Sequence, residues 1–168
     1  MAAKQRAAPA PQRRRVALIV SVSVAILTAA LTGVVAALGG LSTIHYAEII
    51  AAAGVAVSAY VLAYKVWGTP LLCPRGGLVN CKMVLDSRFS VWFGVPSALF
   101  GMLFFAFELV AFYIGSYPAA LAAGTLGVMS VFERIRAQAS IGRICIYCNV
   151  THIFAASLFL LSAYLCVH

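Results

Sequence analysis

Apolar side chains fall along this chain in five long runs, at residues 16–40, 47–67, 95–114, 117–134 and 144–167, separated by short polar stretches. Each run is as long, or nearly as long, as the roughly 20 residues that cross a bilayer as a helix. Lipid offers no water to free backbone groups, so apolar runs of this length leave helices as the solution. The pattern predicts an all-α, polytopic membrane protein with five spans. Residues 1–15, rich in Ala, Pro, Gln and basic side chains and ending in Arg13-Arg14-Arg15, read as a disordered tail lying on anionic head groups.

Residues 16–40 read as a retained transmembrane helix ended by Gly39-Gly40, because the run exceeds the apolar core of a cleaved signal peptide. A polar turn with Ser42, Thr43 and His45 follows, His45 reading as a solvated histidine without a partner there. The second span carries small residues (Ala52, Ala56, Ala59, Ala63) that allow close helix approach, and Lys65 and Trp67 mark its interfacial end. The main polar loop, 68–94, holds Cys73 and Cys81; its 79–89 stretch predicts a short amphipathic helix, and Phe89, Trp92 and Phe93 predict head-group anchoring. Gly115-Ser116 turns the third and fourth spans into an antiparallel hairpin. The fourth span offers Ala120, Ala123, Gly124 and Gly127 for packing, and a brief basic loop, 134–143, leads to the last run.

Composition agrees with a membrane domain: 64% hydrophobic, 10% charged, mean hydropathy +1.02. Twelve Lys and Arg against four Asp and Glu would point a soluble chain towards nucleic acid. Here the excess reads as topology instead. With five spans, every basic residue falls on the side of the amino terminus, the 68–94 loop and the 134–143 loop, and none on the other side. The positive-inside rule makes that side cytoplasmic. Cytosol ordinarily keeps thiols reduced, and disulfide-rich intracellular proteins are a mark of hyperthermophiles, which is the source this orientation points to. The competing orientation, with the loop extracytoplasmic, requires the first run not to cross.

The chemistry lies in the cysteines. Cys145-Ile146-Tyr147-Cys148 heads the last apolar run, so one sulfur sits at the mouth of a helix and the other about a turn deeper, on a similar face. Orphan N–H groups, the positive end of the helix dipole and nearby Arg143 favour a thiolate at Cys145. Cys73 and Cys81 sit on the same water boundary in a loop, and one mobile and one fixed pair make a thiol–disulfide relay. The alternative is a four-cysteine metal-binding module, but the seven-residue gap between Cys73 and Cys81 suits zinc knuckles poorly. Cys166, at the opposite end, reads as an inert thiol. Glu108, within the third span and nearer the far side, reads as a structural or protonated carboxyl. Arg88 reads as snorkelling or paired with Asp86. There is no phosphate-cradling glycine loop and no serine–histidine–acid set.

Cys73 and Cys81 with seven residues between them, then Ser87-Arg88-Phe89, Phe93-Gly94, Pro96, Gly101 and Cys145-Ile-Tyr-Cys148, resemble the vitamin K epoxide reductase family over about 47–167. The resemblance implies a four-helix membrane core at 47–167, with the first span and basic tail outside it. It implies a quinone-linked thiol oxidase whose cofactor is a menaquinone- or ubiquinone-type quinone. Substrate thiols or a thioredoxin-like partner reduce a Cys73–Cys81 disulfide, Cys81 exchanges with Cys145, and Cys148 passes electrons to quinone. Many prokaryotic members carry a fused thioredoxin-like domain, and its absence from this sequence implies a separate partner. Ser87 matches a family serine that supports the exchange or the loop fold. Ser97 falls at the animal enzymes' asparagine, with helix initiation as its plainer reading. His152 falls at their quinone-contacting tyrosine, a departure that leaves epoxide turnover open. Trp92, Phe93 and Phe100 read as belt or packing aromatics, with a quinone pocket as the alternative. The expectation is an integral cell-membrane oxidase in contact with lipid and protein thiols; quinone or quinone-epoxide reduction as the physiological purpose is the alternative.

Overall fold

The computed structural model of the protein describes residues 8–38, 41–73 and 76–167. The described residues are mainly helical: α1 (Ala10–Leu38), α2 (Leu41–Trp67), α3 (Cys81–Leu85), α4 (Ser97–Tyr113), α5 (Tyr117–Ile141) and α6 (Ile146–Val167). A 3-10 turn (Arg88–Ser90) and a two-stranded hairpin, β1 (Val91–Trp92) with β2 (Val95–Pro96), stand between α3 and α4. Three segments are long and apolar enough to cross a membrane, Ala10–Val34, Thr43–Trp67 and Ile146–Val167, while the apolar α4 has 17 residues. Leu18, Ile26, Ile49, Leu126 and Met129 project outwards, as a lipid-facing exterior requires and a water-facing one does not. The protein is a membrane protein.

Within the fold, α2 packs along α4 and α6, and α5 packs along α4 and α6, while α1 lies against α5 and α6. Close approach uses small residues. On α2, a Cβ at Gly54 would stand 2.4 Å from the ring of Phe105 on α4, and on α5 one at Gly127 would stand 2.6 Å from the ring of Phe104. The main core joins Ala47, Ile50, Ala51, Phe105, Phe112, Val131 and Leu158 across these helices. The small-residue face expected on α2 is displaced: Ala52 and Ala56 are exposed, and the buried positions are Ala47, Ala51, Gly54, Ser58 and Val61. The bulky partner Phe105, which has to sit over a glycine, decides that rotation. On α5 the expected residues do pack, with Ala120, Gly124 and Gly127 buried.

Several boundaries differ from the sequence expectation. α1 begins at Ala10, so Arg13, Arg14 and Arg15 are helical rather than part of a disordered tail. Proline is tolerated in a first helical turn, and the arginines and Gln12 are good helix formers. The start is also docked, with Ala8 N–H donating to Ser140 O at 3.0 Å and Gln12 Nε2 to Gly142 O at 2.9 Å. Residues 1–7, Gly39, Gly40, Pro74 and Arg75 lie outside the described residues. The polar turn at 41–46 is the first turn of α2, where i,i+3 spacing brings His45 Nδ1 to 3.3 Å from Glu48 Oε2, so His45 has a partner. The basic loop expected at 134–143 is the last two turns of α5. The helix stops at Gly142, whose φ of 72° is the left-handed conformation glycine tolerates, with Gly142 N–H and Arg143 N–H both donating to Gln138 O.

Candidate functional site

The turn that ends α5 and the loop that carries Cys81 are joined by a single parallel β-bridge. Ile144 N–H donates to Leu78 O at 2.8 Å, and Asn80 N–H donates to Ile144 O at 3.0 Å, pairing Val79 with Ile144. Cys81 opens α3 directly after one side of this bridge, and Cys145 precedes α6 directly after the other. The register therefore delivers both sulfurs to one place. Cys81 and Cys145 are fully buried in a single apolar cluster with Val61, Val84 and Leu85, and Cys73 and Cys148 pack against it. Cys73 and Cys81 form a disulfide, while Cys145 and Cys148 are free thiols. All four cysteines thus converge at one end of the helices, with Cys81 and Cys145 sheltered from water and Cys73 and Cys148 half-buried.

Each member is held locally. Asn80 Oδ1 caps α3 by accepting from Met83 N–H at 3.0 Å, and Cys81 N–H donates to Cys73 Sγ at 3.3 Å. Tyr60 hydroxyl donates to Pro70 O and accepts from Leu72 N–H, while Tyr147 hydroxyl donates to Leu72 O. The loop ahead of Cys73 is therefore tied to α2 and to the residue between the two helix cysteines. Cys145 N–H, an orphan donor at a helix start, finds the side-chain Oε1 of Gln138 at 2.8 Å, and the same amide's Nε2 donates to Asn149 Oδ1 at 3.1 Å. Outside, Arg143 donates to Gly77 O, and Ile144 packs with Val16, Val20 and Val24 of α1.

Below the cysteines a largely apolar cavity of about 440 Å³ opens between α4, α5 and α6. Cys148, His152 and Thr151 line it from α6, Ser97 and Phe100 from α4, and Arg134 and Gln138 from α5. A volume of this order holds a small aromatic ring system. His152 is buried, and its Nδ1 has no hydrogen-bond partner among the described residues. A buried, unpartnered ring nitrogen in an otherwise apolar chamber suits a ligand oxygen, as in a quinone.

The sequence model of the vitamin K epoxide reductase family matches residues 45–163, which is 163 − 45 + 1 = 119 of the 168 residues. The chain belongs to that family. Comparison with curated proteins gives no match. Family membership makes the protein a membrane oxidoreductase, and the chemistry of that family is quinone-linked in general. The 119 matched residues contain both cysteine pairs and the cavity, and leave α1 outside.

Of the family positions named from sequence, Cys148, His152 and Ser97 meet around one cavity, although Ser97 also begins α4. Ser87 is buried and its hydroxyl donates to Val84 O at 2.7 Å, a bond internal to the loop, while its residue also borders the cavity. Trp92 and Phe100 are cavity walls, 6.0 Å apart between ring centroids, whereas Phe93 is the fully exposed tip of the hairpin at φ 51°. Asp86 pairs with Lys65 at 3.5 Å and accepts from Tyr64, and Arg88 lies over Phe89 instead. Glu108 is buried outside the cavity, with neither oxygen hydrogen-bonded among the described residues, and Cys166 is exposed.

Sequence reading passed over Gln138 and Arg134. Ending the fourth span at 134 put Gln138 in a loop; continuing the helical spacing Ser130, Arg134, Gln138 would have placed all three on one face. Replacing Gln138 with Leu leaves the buried Cys145 N–H without an acceptor, at a cost of about 1–3 kcal/mol. We expect Gln138→Leu to lower thermal stability accordingly and to slow alkylation of Cys145 in the reduced protein, whereas Gln138→Glu, which keeps the acceptor, loses less. Unchanged unfolding and unchanged labelling would remove Gln138 from the site.

Proposed function

We propose that the protein is a quinone-linked thiol oxidase, running from protein thiols through Cys73/Cys81 and Cys145/Cys148 to a membrane quinone. The observation that carries this reading is the bridge-fixed adjacency of Cys81 and Cys145, with Cys148 facing the cavity. A partner dithiol, from a substrate protein or a thioredoxin-like carrier, reduces the Cys73–Cys81 disulfide and leaves as a disulfide itself. The Cys81 thiolate then attacks Cys145 of an oxidised Cys145–Cys148 pair, forming a Cys81–Cys145 bond and releasing Cys148. Cys73 attacks Cys81, restoring Cys73–Cys81 and leaving Cys145 and Cys148 reduced. That product has the bonding seen here, with the loop pair oxidised and the helix pair reduced.

Quinone supplies a two-electron, two-proton acceptor for the Cys145/Cys148 dithiol, which returns to its disulfide. His152 and Ser97 are the groups we assign to hold its ring oxygens, and the apolar wall excludes water from the dithiol. Whether the quinone is of the menaquinone or ubiquinone type is a matter of the ring the cavity accepts. Ser87 serves by keeping the turn after α3 in shape.

We further infer five spans, with α2, α4, α5 and α6 as a four-helix core at 47–167 and α1 as an additional leading span. Docking of Ala8 on Ser140 and of Gln12 on Gly142 supports this, since it puts the start of α1 at the cysteine end. The described basic residues, including Arg13, Arg14, Arg15, Lys65, Lys82, Arg136 and Arg143, gather at that same end, which supports a cytoplasmic active site.

In bilayers, the purified protein should oxidise thiols only when quinone is supplied, and Cys148→Ala should abolish that turnover while its Cys73–Cys81 disulfide still exchanges with dithiols. Quinone-dependent oxidation persisting in Cys148→Ala contradicts the relay. For orientation, a membrane-impermeant thiol reagent should label reduced Cys73 in inside-out vesicles alone; labelling in right-side-out vesicles alone would place the site outside the cell.

A further inference from the structure

Among the described residues, Arg134 is a charge that the fold holds without a counter-charge. The chain has four acidic residues. Glu48 contacts His45, Asp86 contacts Lys65, Glu133 contacts Arg136, and Glu108 lies outside the cavity that Arg134 lines. No carboxylate is left for Arg134. Its guanidinium donates through Nη1 to Phe89 O at 2.7 Å and stacks over the Trp92 ring, 4.7 Å from the centroid. Those two contacts fix a planar group that carries five donors, and the carbonyl takes only one of them.

The setting makes this costly unless an anion arrives. Among the described residues Arg134 is the one charged side chain lining the cavity, a wall it shares with Cys148 and His152. A cation on the wall of a largely apolar cavity, with one carbonyl and one aromatic ring as its described contacts, suits an anionic ligand group. An aromatic wall formed by Trp92 and Phe100 runs beside it. The chamber thus offers a flat apolar surface, a fixed cation at one end and an unpartnered imidazole nitrogen.

We propose that Arg134 is a ligand-contacting residue that makes the cavity selective for ring oxygens carrying negative charge, so that it takes ionised hydroxynaphthoquinones in preference to neutral quinones of the same shape. The proposal rests on the cavity being the quinone site and adds to it a charge preference and the residue that sets it. In turnover the same cation holds charge beside the oxygen towards which electron density moves.

The test is equilibrium binding to the fully oxidised protein in bilayers, read by quenching of tryptophan fluorescence. The probes are 2-hydroxy-3-methyl-1,4-naphthoquinone, ionised at neutral pH, and 2,3-dimethyl-1,4-naphthoquinone, neutral and nearly the same shape. Both have blocked ring carbons, so the exposed Cys166 does not add to them. The wild-type protein should prefer the ionised probe by about tenfold or more, the scale of a charge-assisted hydrogen bond. Arg134→Gln should bring the ratio to about one while binding the dimethyl compound nearly as before, and Arg134→Lys should keep part of the preference. The preference should also vanish in the wild-type protein at a pH acidic enough to protonate the hydroxyl, a readout that needs no variant to fold. Failure of both probes to bind the wild-type protein would overturn the quinone site itself. Binding of both with equal affinity, or a preference that survives in Arg134→Gln, would overturn the role of Arg134 and leave the quinone site standing.

Discussion

Everything at the active end depends on two backbone hydrogen bonds, Ile144 N–H to Leu78 O and Asn80 N–H to Ile144 O. They set the register between a loop and a helix start so that the next residue on each side is a cysteine. A slip of one residue would turn one sulfur to the opposite face. The rest of the local structure protects that register. Gly142 ends α5 tightly enough to present Ile144, Gln138 accepts the free N–H of Cys145, and Asn80 caps α3 on the other side. α1 closes the outside of the turn with Gln12, Val16 and Val20, so the helix beyond the family-matched residues is part of the site's support.

Burial gives the register its chemical consequence. Cys81 and Cys145 meet in an apolar cluster, where the proposed attack of a thiolate on a neighbouring disulfide would be shielded from water and stray thiols. Only Cys73 on the loop side is partly accessible, and only Cys148 on the helix side borders the cavity. The loop pair thus reaches the surface at Cys73, and the helix pair reaches the cavity at Cys148. Bulk separates these compartments: the Tyr60–Tyr147 contact, 5.5 Å between ring centroids, stands on one side, and Val84 and Leu85 fill the other.

Much of this was legible in the sequence, for physical reasons. Apolar runs report helices in lipid because the backbone has no alternative there, and the two spaced cysteine pairs pointed to disulfide chemistry, of which the Cys73–Cys81 bond is seen. Helix ends were less legible. Arg13, Arg14 and Arg15 looked like a tail because charge was taken to mean solvent, yet helices can project basic residues at the membrane boundary. The same assumption ended α5 too soon at Arg134 and hid both Gln138 and the cavity's cation. The register of Val79 with Ile144 had no local signal, since 65 residues separate the partners and the bridge is one residue wide. Nor did the alanine spacing of α2 show which face is buried, because Phe105 on another helix decides it. His152 and Ser97 were placed by family resemblance, and the fold brings them to one chamber with Cys148.

The most direct measurement is the order in which disulfides form when fully reduced protein in bilayers receives one equivalent of quinone without oxygen. Time-resolved acid quenching, alkylation and mass spectrometry would identify each bond. The account predicts that Cys145–Cys148 appears first and is then exchanged for Cys73–Cys81. Formation of Cys73–Cys81 first, with Cys145 and Cys148 remaining reduced throughout, would contradict it.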